Sequence, residues 1–208
     1  MSSTNRSNSR YLHEYDYYVT PVKDIKIFLK AFDKVENIDW NNVHILDPAA
    51  GGNETFNYTL ENGTVKRIEE HCMSYPVAIE DLFGKCNITT YDIRENSFAE
   101  HKLDYFNTTL DFEPDMIITN PPFKQGITMI NKALDDVKDG GFVIMLLRLN
   151  FFGSDARFEF FKENMPKYCF VHHKRISFTD DKKTDSIEYC HMVWQKGHKS
   201  DSTQLFVI

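Results

Sequence analysis

The sequence predicts an α/β fold in which helices cover both faces of a mostly parallel, seven-stranded sheet. Short apolar runs with the composition of strands alternate along the chain with segments of helical periodicity. A short polar loop, residues 179–186, separates the last two apolar runs, so those two strands should form a final antiparallel hairpin. The composition, 41% hydrophobic and 14% aromatic, is typical of a globular protein.

Length, charge and cysteine content narrow the class of protein. A chain of 208 residues fits a single domain, residues 1–208, in which we expect residues 1–12 to be a loose polar tail. The formal net charge of −7 argues against a protein that coats nucleic acid without specificity. There is no membrane-length apolar run, no secretory signal and no C-x-x-C pair, so we expect a cytoplasmic protein with reduced thiols and no membrane partner.

Each predicted helix has a reason in the sequence to begin or end where it does. In the first, apolar residues such as Ile25 and Phe28 recur at helical spacing, and Pro21 suits the first turn. The second has Ser74 as its predicted N-cap and ends at Gly84. The predicted helices are residues 21–35, 74–83, 126–137 and 155–164.

The predicted strands are short runs that are rich in apolar and β-branched residues. Residues 142–147, FVIMLL, are apolar throughout, as expected for a strand that is buried on both faces of a parallel sheet. The predicted strands are residues 43–47, 87–93, 116–119, 142–147, 169–177 and 187–195.

One connection is too long for an ordinary strand-to-helix loop. More than two dozen residues separate the strand that ends at Asp47 from the helix near Ser74, whereas about 2–6 are usual. Within this stretch, Asn62 and Gly63 lie between two alternating segments, residues 55–60 and 64–68, which is a strong hairpin signal. We therefore predict a hairpin insertion over residues 53–73, with an irregular loop as the alternative.

Acidic residues follow or accompany the predicted strand ends, where α/β sheets bind ligands. Asp47 begins the segment DPAAGG, whose glycines allow a ligand to approach the backbone closely. Asp92 ends the next strand, where an acid usually binds ribose hydroxyls. Asp104, beside Tyr105, could hold an adenine amino group. An ordinary glycine-rich turn, a capping aspartate and a surface aspartate are the respective structural alternatives.

The most specific motif is Asn120-Pro121-Pro122-Phe123, directly after the strand of residues 116–119. Each proline holds the residue before it in an extended conformation and lacks an N–H, so carbonyl groups dominate this corner. The Asn120 side-chain oxygen and a nearby carbonyl then form a rigid pair of acceptors that matches the two donors of a planar NH2 group. Phe123 supplies a flat face for the base that carries it. A purely structural turn is the alternative.

Together these motifs resemble those of S-adenosylmethionine-dependent amino-methyltransferases, and more narrowly those of DNA N6-adenine methyltransferases, whose catalytic motif is (D/N/S)-P-P-(Y/F/W). The resemblance rests on Thr20-Pro21, the segment DPAAGG, Asp92, Asp104-Tyr105 and NPPF, and it runs from about residue 18 to residue 195. Residues 141–152 also resemble small phage-encoded members. The resemblance implies a Rossmann-like class I methyltransferase fold, S-adenosylmethionine as cofactor and transfer to adenine N6 in DNA.

The resemblance also implies roles for individual residues. Cofactor binding falls to Thr20, Pro21, Asp47, Pro48, Ala49, Gly51, Asp92, Ile93, Asp104, Tyr105 and Asn120. Catalysis falls to Asn120, Pro121, Pro122 and Phe123. Asn120 and Pro121 would bind the target amine, and Phe123 would stack on the target base.

The expected partner is DNA, with RNA as the nearest alternative. Candidate polynucleotide contacts are Lys124, His173, Lys174, Arg175, Lys182 and Lys183. For the basic cluster of residues 172–175 the alternative is a solvated strand edge. His44, His71 and His191 lack ligand-like spacing, so no metal site is predicted.

Three other functions share the Asn-Pro-Pro-aromatic corner or the fold. RNA adenine methyltransferases and protein glutamine methyltransferases have the same corner, and the glutamine enzymes more often have Tyr in its last position, which favours a base as the target of a chain with Phe123. A non-catalytic module of the same fold is the third, and the presence of Asp47, Asp92 and Asn120 disfavours it.

Overall fold

The structure, a computed structural model, describes residues 18–59, 63–178, 184 and 186–208. Its helices are α1 (Val22–Glu36), α2 (Ser74–Phe83), α3 (Gly126–Asp136) and α4 (Asp155–Glu163). Its strands are β1 (His44–Asp47), β2 (Gly51–Asn53), β3 (Phe56–Thr59), β4 (Val65–Ile68), β5 (His71–Met73), β6 (Asn87–Asp92), β7 (His101–Lys102), β8 (Met116–Thr119), β9 (Phe142–Arg148), β10 (Tyr168–Val171), β11 (Tyr189–Gln195) and β12 (Gln204–Val207).

Eight of these strands form one sheet in the order β12-β10-β11-β9-β8-β1-β6-β7. β1 pairs in parallel with both β6 and β8, and β8 pairs in parallel with β9. β11 is antiparallel to its neighbours β9 and β10. The chain passes from β1 to β6 on one side and later to β8 on the other, so the strand order reverses at β1, where ligands bind in sheets of this kind.

Side chains alternate between the two faces of the sheet, and helices cover each face. Ile45, Met116 and Ile118 face the layer that contains α1 and α2. Leu46 and Ile117, their immediate neighbours in sequence, face the layer that contains α3 and α4. All five are essentially inaccessible to solvent, so the central strands are buried on both faces, which explains why they read as continuous apolar runs.

The structure confirms the predicted fold class and corrects three details. Within the described residues the sheet has eight strands rather than seven: the six predicted ranges are joined by the short β7 and the partly polar β12 at its two edges. Ser74 is not an N-cap: β5 runs directly into α2, Met73 holds the cap position, and Ser74 is the first helical residue. The strand predicted over residues 169–177 ends at Val171; His172 and His173 each donate one more backbone hydrogen bond, to Tyr189 and Ile208, before the chain leaves the sheet.

The long connection after β1 contains two small antiparallel ladders. β3 and β4 pair from Phe56 with Ile68 to Thr59 with Val65, as a hairpin requires, and residues 60–62 at its tip lie outside the described residues. β2 and β5 pair at the base of the excursion, with Gly51 opposite Met73. The DPAAGG segment therefore ends in a strand rather than in a turn alone.

Candidate active site

A cavity of about 700 Å³ opens at the carboxyl edge of β1, β6 and β8. Its size is in the range of small-molecule and cofactor sites, about 300–1,000 Å³. Of the predicted cofactor residues, those that line it are Thr20, Pro48, Ala49, Gly51, Asp92, Ile93, Asp104, Tyr105 and Asn120. Pro21 and Asp47 are not in the lining. Of the remaining predicted residues, Pro122 and Lys124 line it, whereas Pro121 and Phe123 do not.

Asp47 lies at the end of β1 and is almost completely buried. Its Oδ1 accepts a hydrogen bond from the Ala49 N–H at 3.2 Å. Burial raises the pKa of Asp47 to about 7, and the charge of Asp92 adds to this, while the Thr119 hydroxyl and the Ala49 N–H oppose it. The Thr119 hydroxyl influences this pKa but lies outside hydrogen-bond geometry. A cationic ligand group nearby would stabilise this carboxylate.

Asp92 ties the end of β6 to the glycine segment. Its Oδ2 accepts from the Gly51 N–H at 2.9 Å, and its Oδ1 accepts from the Arg94 N–H at 2.8 Å. The buried Arg94 side chain forms an ion pair with Asp92 at 3.3 Å and donates to the Gly52 carbonyl at 3.1 Å. Sequence reasoning missed Arg94, because an arginine just after a strand usually lies on the surface.

The glycines of this segment are required by the backbone. Gly51 and Gly52 both have φ of +72°, a region that residues with a side chain rarely adopt. A Cβ on Gly52 would lie 2.9 Å from the Phe98 side chain and 3.1 Å from that of Met73. The main chain therefore forms this part of the cavity wall, where a side chain would not fit.

Asp104 and Tyr105, just after β7, form another part of the cavity wall. Asp104 caps a short 3-10 turn, where its Oδ1 accepts from the Phe106 N–H at 3.0 Å and its Oδ2 accepts from Asn107 Nδ2 at 2.6 Å. Burial and the hydroxyl's proximity to Asp136 raise the pKa of Tyr105. Ile93 adds a half-exposed apolar side chain.

Asn120 follows β8 and is held in one orientation by the segment before α1. Its Nδ2 donates to the backbone carbonyl of Tyr18 at 3.3 Å. Its Oδ1 is buried and has no hydrogen-bond partner, and the same is true of the Thr20 hydroxyl oxygen on the opposing segment. The amide therefore presents a free acceptor at the edge of the cavity. Because buried acceptors are normally satisfied, this geometry indicates a site for a donor group.

Phe123 lies outside the cavity in a small aromatic cluster, formed with Tyr18, Phe178 and Tyr189. Its ring centroid is 6.1 Å from that of Tyr18 and 6.0 Å from that of Tyr189. The ring of Phe178 lies 4.8 Å from that of Tyr189 and 6.3 Å from that of Tyr18. The guanidinium carbon of Arg148, a residue that sequence reasoning missed, lies 4.9 Å from the centre of the Phe123 ring.

The predicted basic cluster is exposed in part. His172 is buried, whereas His173, Lys174 and Arg175 are exposed. His173 is hydrogen bonded through its Nδ1 to the Ile208 carbonyl at 2.5 Å, and Arg175 pairs with Glu188 at 3.3 Å. Lys182 and Lys183 lie outside the described residues.

A buried chain of three side chains runs from the cavity along the face of the sheet that α1 and α2 cover. Tyr75, which lines the cavity, is hydrogen bonded through its hydroxyl to His191 Nε2 at 3.0 Å, and His191 Nδ1 is hydrogen bonded to His172 Nε2 at 3.0 Å. Burial lowers the pKa of His172 to about 4 and lowers that of His191 well below its usual value. Both imidazoles are therefore neutral at pH 7. Sequence spacing gave no signal for this contact.

Two further observations concern the described part of the chain. It contains no group of three or more His, Cys, Asp or Glu side chains arranged to hold a metal ion. It also contains no helix that is long and apolar enough to cross a membrane.

Comparison with known proteins identifies the fold. No family model and no curated protein matches the sequence. Among solved structures, a candidate class I S-adenosylmethionine-dependent methyltransferase from Listeria monocytogenes has a TM-score of 0.62 and 15% identity, with 94% of this chain and 67% of that chain covered. A type I restriction-modification methyltransferase subunit from Streptococcus thermophilus has a TM-score of 0.61 and 13% identity over 91% of this chain and 47% of that chain.

A candidate RNA methyltransferase from Pyrococcus horikoshii has a TM-score of 0.56 and 14% identity, with 86% of this chain and 87% of that chain covered. The present chain therefore spans about half of the Streptococcus subunit but most of the Pyrococcus protein. At these identities the likeness establishes the fold, which is that of class I methyltransferases.

Proposed function

We propose that this protein is an S-adenosylmethionine-dependent methyltransferase that methylates the exocyclic N6 amine of adenine in DNA. The observation that carries the proposal is the Asn120 amide, whose Oδ1 is buried without a partner while its Nδ2 is bound to the Tyr18 carbonyl. An acceptor that is fixed in this way suits an NH2 donor. The class I methyltransferase fold supports the same conclusion.

The residues around the cavity fit the proposed cofactor. The cavity has room for a molecule of this size, the Thr20 hydroxyl lacks a partner, and main chain alone forms the wall at Gly52. Asp47 would offer a buried carboxylate towards the cationic methionine portion, and Asp92 would accept from the ribose hydroxyls with its remaining lone pairs. Ile93, Asp104 and Tyr105 would enclose the adenine. Thr20, Pro21, Pro48 and Ala49 would lie along the methionine portion. When bound, S-adenosylmethionine supplies a methyl group on a sulfonium, which is a strong electrophile.

The corner after β8 would bind and orient the target amine. Asn120 Oδ1 and the Pro121 carbonyl would accept its two N–H groups, which favours a pyramidal nitrogen whose lone pair can attack. The same two oxygens would stabilise the positive charge that develops on that nitrogen. Pro122 keeps the Pro121 carbonyl in place, since it restricts Pro121 to an extended conformation.

Phe123 would stack on the target base. A base within duplex DNA must leave the helix before its amine can reach Asn120, which costs a few kcal/mol. Stacking on an aromatic ring recovers about 1–3 kcal/mol per base. The half-buried ring of Phe123, three residues after Asn120, is the nearest aromatic side chain in sequence to the proposed amine site.

The experiment is methyl transfer from tritiated S-adenosylmethionine to duplex DNA, single-stranded DNA, RNA and protein, assayed in parallel. We expect label in DNA, and N6-methyladenine after digestion to nucleosides. The matched control is the same DNA with purine, which lacks the 6-amino group, in place of adenine, and it should take up no label. Label in RNA alone or in protein alone would contradict the choice of DNA. Label in no polymer would contradict the proposed activity.

A further inference from the structure

Arg148 ends β9, the strand beside β8, and its guanidinium carbon lies 4.9 Å from the centre of the Phe123 ring. Phe123 in turn packs in the aromatic cluster with Tyr18, Phe178 and Tyr189. The proposed stacking residue thus has a cation directly over its ring. A cation–π contact of this kind contributes about 0.5–1 kcal/mol at an exposed site and more where water is excluded.

Arg148 is half-buried, and within the described part of the chain its Nε lacks the acceptor that a buried N–H group normally has. Within residues 18–59, 63–178, 184 and 186–208, no carboxylate forms an ion pair with it. Leaving a charged donor unsatisfied is costly, so its position indicates an acceptor that arrives with a ligand.

Arg157 shows what a structural arginine looks like in the same protein. Its guanidinium carbon lies 4.5 Å from the centre of the Phe151 ring, so it also makes a cation–π contact. Its Nε, however, donates to the Phe151 carbonyl at 2.6 Å, and its Nη2 donates to the Asn150 carbonyl at 3.5 Å. The two arginines share the ring contact and differ at Nε, which has an acceptor in Arg157 and none in Arg148.

We propose that Arg148 binds a backbone phosphate of the polynucleotide beside the base that stacks on Phe123. The planar fork of a guanidinium matches two phosphate oxygens, and a phosphate would satisfy the Nε that is now without a partner. This proposal rests on the proposed function and assigns a DNA contact in addition to the predicted contacts at His173, Lys174 and Arg175.

The surroundings of the other basic side chains agree with this assignment. Arg175 already pairs with Glu188, and His173 is bound to the Ile208 carbonyl. Lys124 is exposed, lines the cavity and lies next to Phe123 in sequence. Because β8 and β9 are parallel, Arg148 at the end of β9 lies at the same edge of the sheet as the Asn120 corner.

The test measures binding of a fluorescent DNA oligonucleotide as a function of salt concentration for the wild type, Arg148→Gln, Arg148→Lys and Arg157→Gln. Loss of one phosphate contact should reduce the slope of log affinity against log salt by about 0.7 for single strands or about 0.9 for duplex. We expect this reduction in Arg148→Gln, most of the slope retained in Arg148→Lys, and no change in Arg157→Gln. The affinity for S-adenosylmethionine, measured separately, should be the same in the wild type and both Arg148 variants.

A melting temperature for each variant identifies a purely structural role. Arg157→Gln should melt lower, since it loses two hydrogen bonds, whereas Arg148→Gln should melt close to the wild type. An unchanged salt slope in Arg148→Gln would overturn the proposal, as would weaker cofactor binding or a wild type that binds no DNA. If the wild type methylates DNA while Arg148→Gln keeps the full slope, only this inference fails. If the wild type methylates no polymer, the proposed function fails, whatever the slopes.

Discussion

Two groups of polar side chains lie in the interior. One is the chain of Tyr75, His191 and His172, whose members are hydrogen bonded to one another. The other is the group of Thr20, Asp47 and Asn120, in which several polar atoms have no hydrogen-bond partner. In the chain, each link is 3.0 Å long, and the ring of Phe28 stacks on His191 with centroids 4.0 Å apart. In the group beside the cavity, the Thr20 hydroxyl and Asn120 Oδ1 have no partner, and the pKa of Asp47 is raised to about 7.

The difference distinguishes polar groups that serve the fold from those that await a ligand. A satisfied network specifies one packing of the core, and breaking it destabilises the protein. Unsatisfied groups cost stability in the free protein and recover it when a partner binds. Substitutions in the hydrogen-bonded chain should therefore mainly lower stability. Substitutions in the group beside the cavity should mainly weaken ligand binding and slow turnover.

The largest expected effect is on turnover in Asn120→Ala. Removing one preorganised group that stabilises developing charge lowers the rate by about 100- to 1,000-fold. Stability should fall by about 1 kcal/mol or less, because only the 3.3 Å bond to the Tyr18 carbonyl is lost. The measurements are tritium transfer and urea unfolding, with the exposed Asn131→Ala on α3 as the control. If Asn120→Ala were much less stable than the wild type but kept its methyl-transfer rate, Asn120 would serve the fold rather than the reaction.

The next effect is on stability in His191→Leu. The substitution leaves the Tyr75 hydroxyl and His172 Nε2 without partners, so the free energy of unfolding should fall by about 3 kcal/mol. Urea unfolding measures this change, and His198→Leu, at an exposed histidine, should change it by about 0.5 kcal/mol or less. Full stability combined with impaired cofactor binding would place the chain in the site instead.

Asp47→Asn should bind S-adenosylmethionine more weakly and yet be more stable. The folded carboxyl binds its proton more tightly than the unfolded one, so Asp47 costs stability as pH rises from its usual pKa towards about 7. Removing the charge should raise the free energy of unfolding by about 2–4 kcal/mol at pH 8, and by less at pH 5, where the wild-type carboxyl is protonated. An equal gain at both pH values would show that ionisation is not the cause.

The smallest effect is on the pH dependence of stability. The pKa of His172 is lowered to about 4 by burial and by His173, so the unfolded state takes up the proton first as pH falls. Stability is therefore lost as pH falls from about 6.5 to about 4, and His191 contributes in the same direction. Asp47 opposes this trend in the wild type. The free energy of unfolding of Asp47→Asn should therefore fall more steeply than that of the wild type as the pH is lowered. Parallel profiles for the two proteins would argue against neutral imidazoles in the core.

Sequence patterns predicted the strand ends well, for a physical reason. Central parallel strands are buried on both faces, so their apolar runs are visible in the sequence, and parallel neighbours end at the same edge. The sequence pattern therefore predicts that Asp47, Asp92 and Asn120 lie at one edge of the sheet. Edge strands lack this signal: the side chains of Leu205 and Val207 in β12 are more than half exposed, and the strand is recognised only by its pairing with β10.

The features that sequence reasoning missed depend on contacts between distant residues. Tyr75 and His191 are 116 positions apart, so no local pattern relates them. Arg94 was missed because its burial depends on the Gly52 carbonyl, which lies 42 positions away. Arg148 is recognisable in the sequence only as a charge directly after six apolar residues. Its contact with the Phe123 ring, which suggests a role, is visible only in the structure.

The hydrogen bond between Asn120 Nδ2 and the Tyr18 carbonyl joins residues 102 positions apart. This separation affects the stage of folding at which the protein becomes able to catalyse its reaction. β1, β8 and β9 can pair without the segment before α1, but the amide cannot be oriented until that segment closes a long loop. The acceptor is the backbone carbonyl of Tyr18, and the ring of the same residue packs near Phe123 and Phe178. Regain of turnover on refolding should therefore report the completion of folding rather than the formation of the sheet.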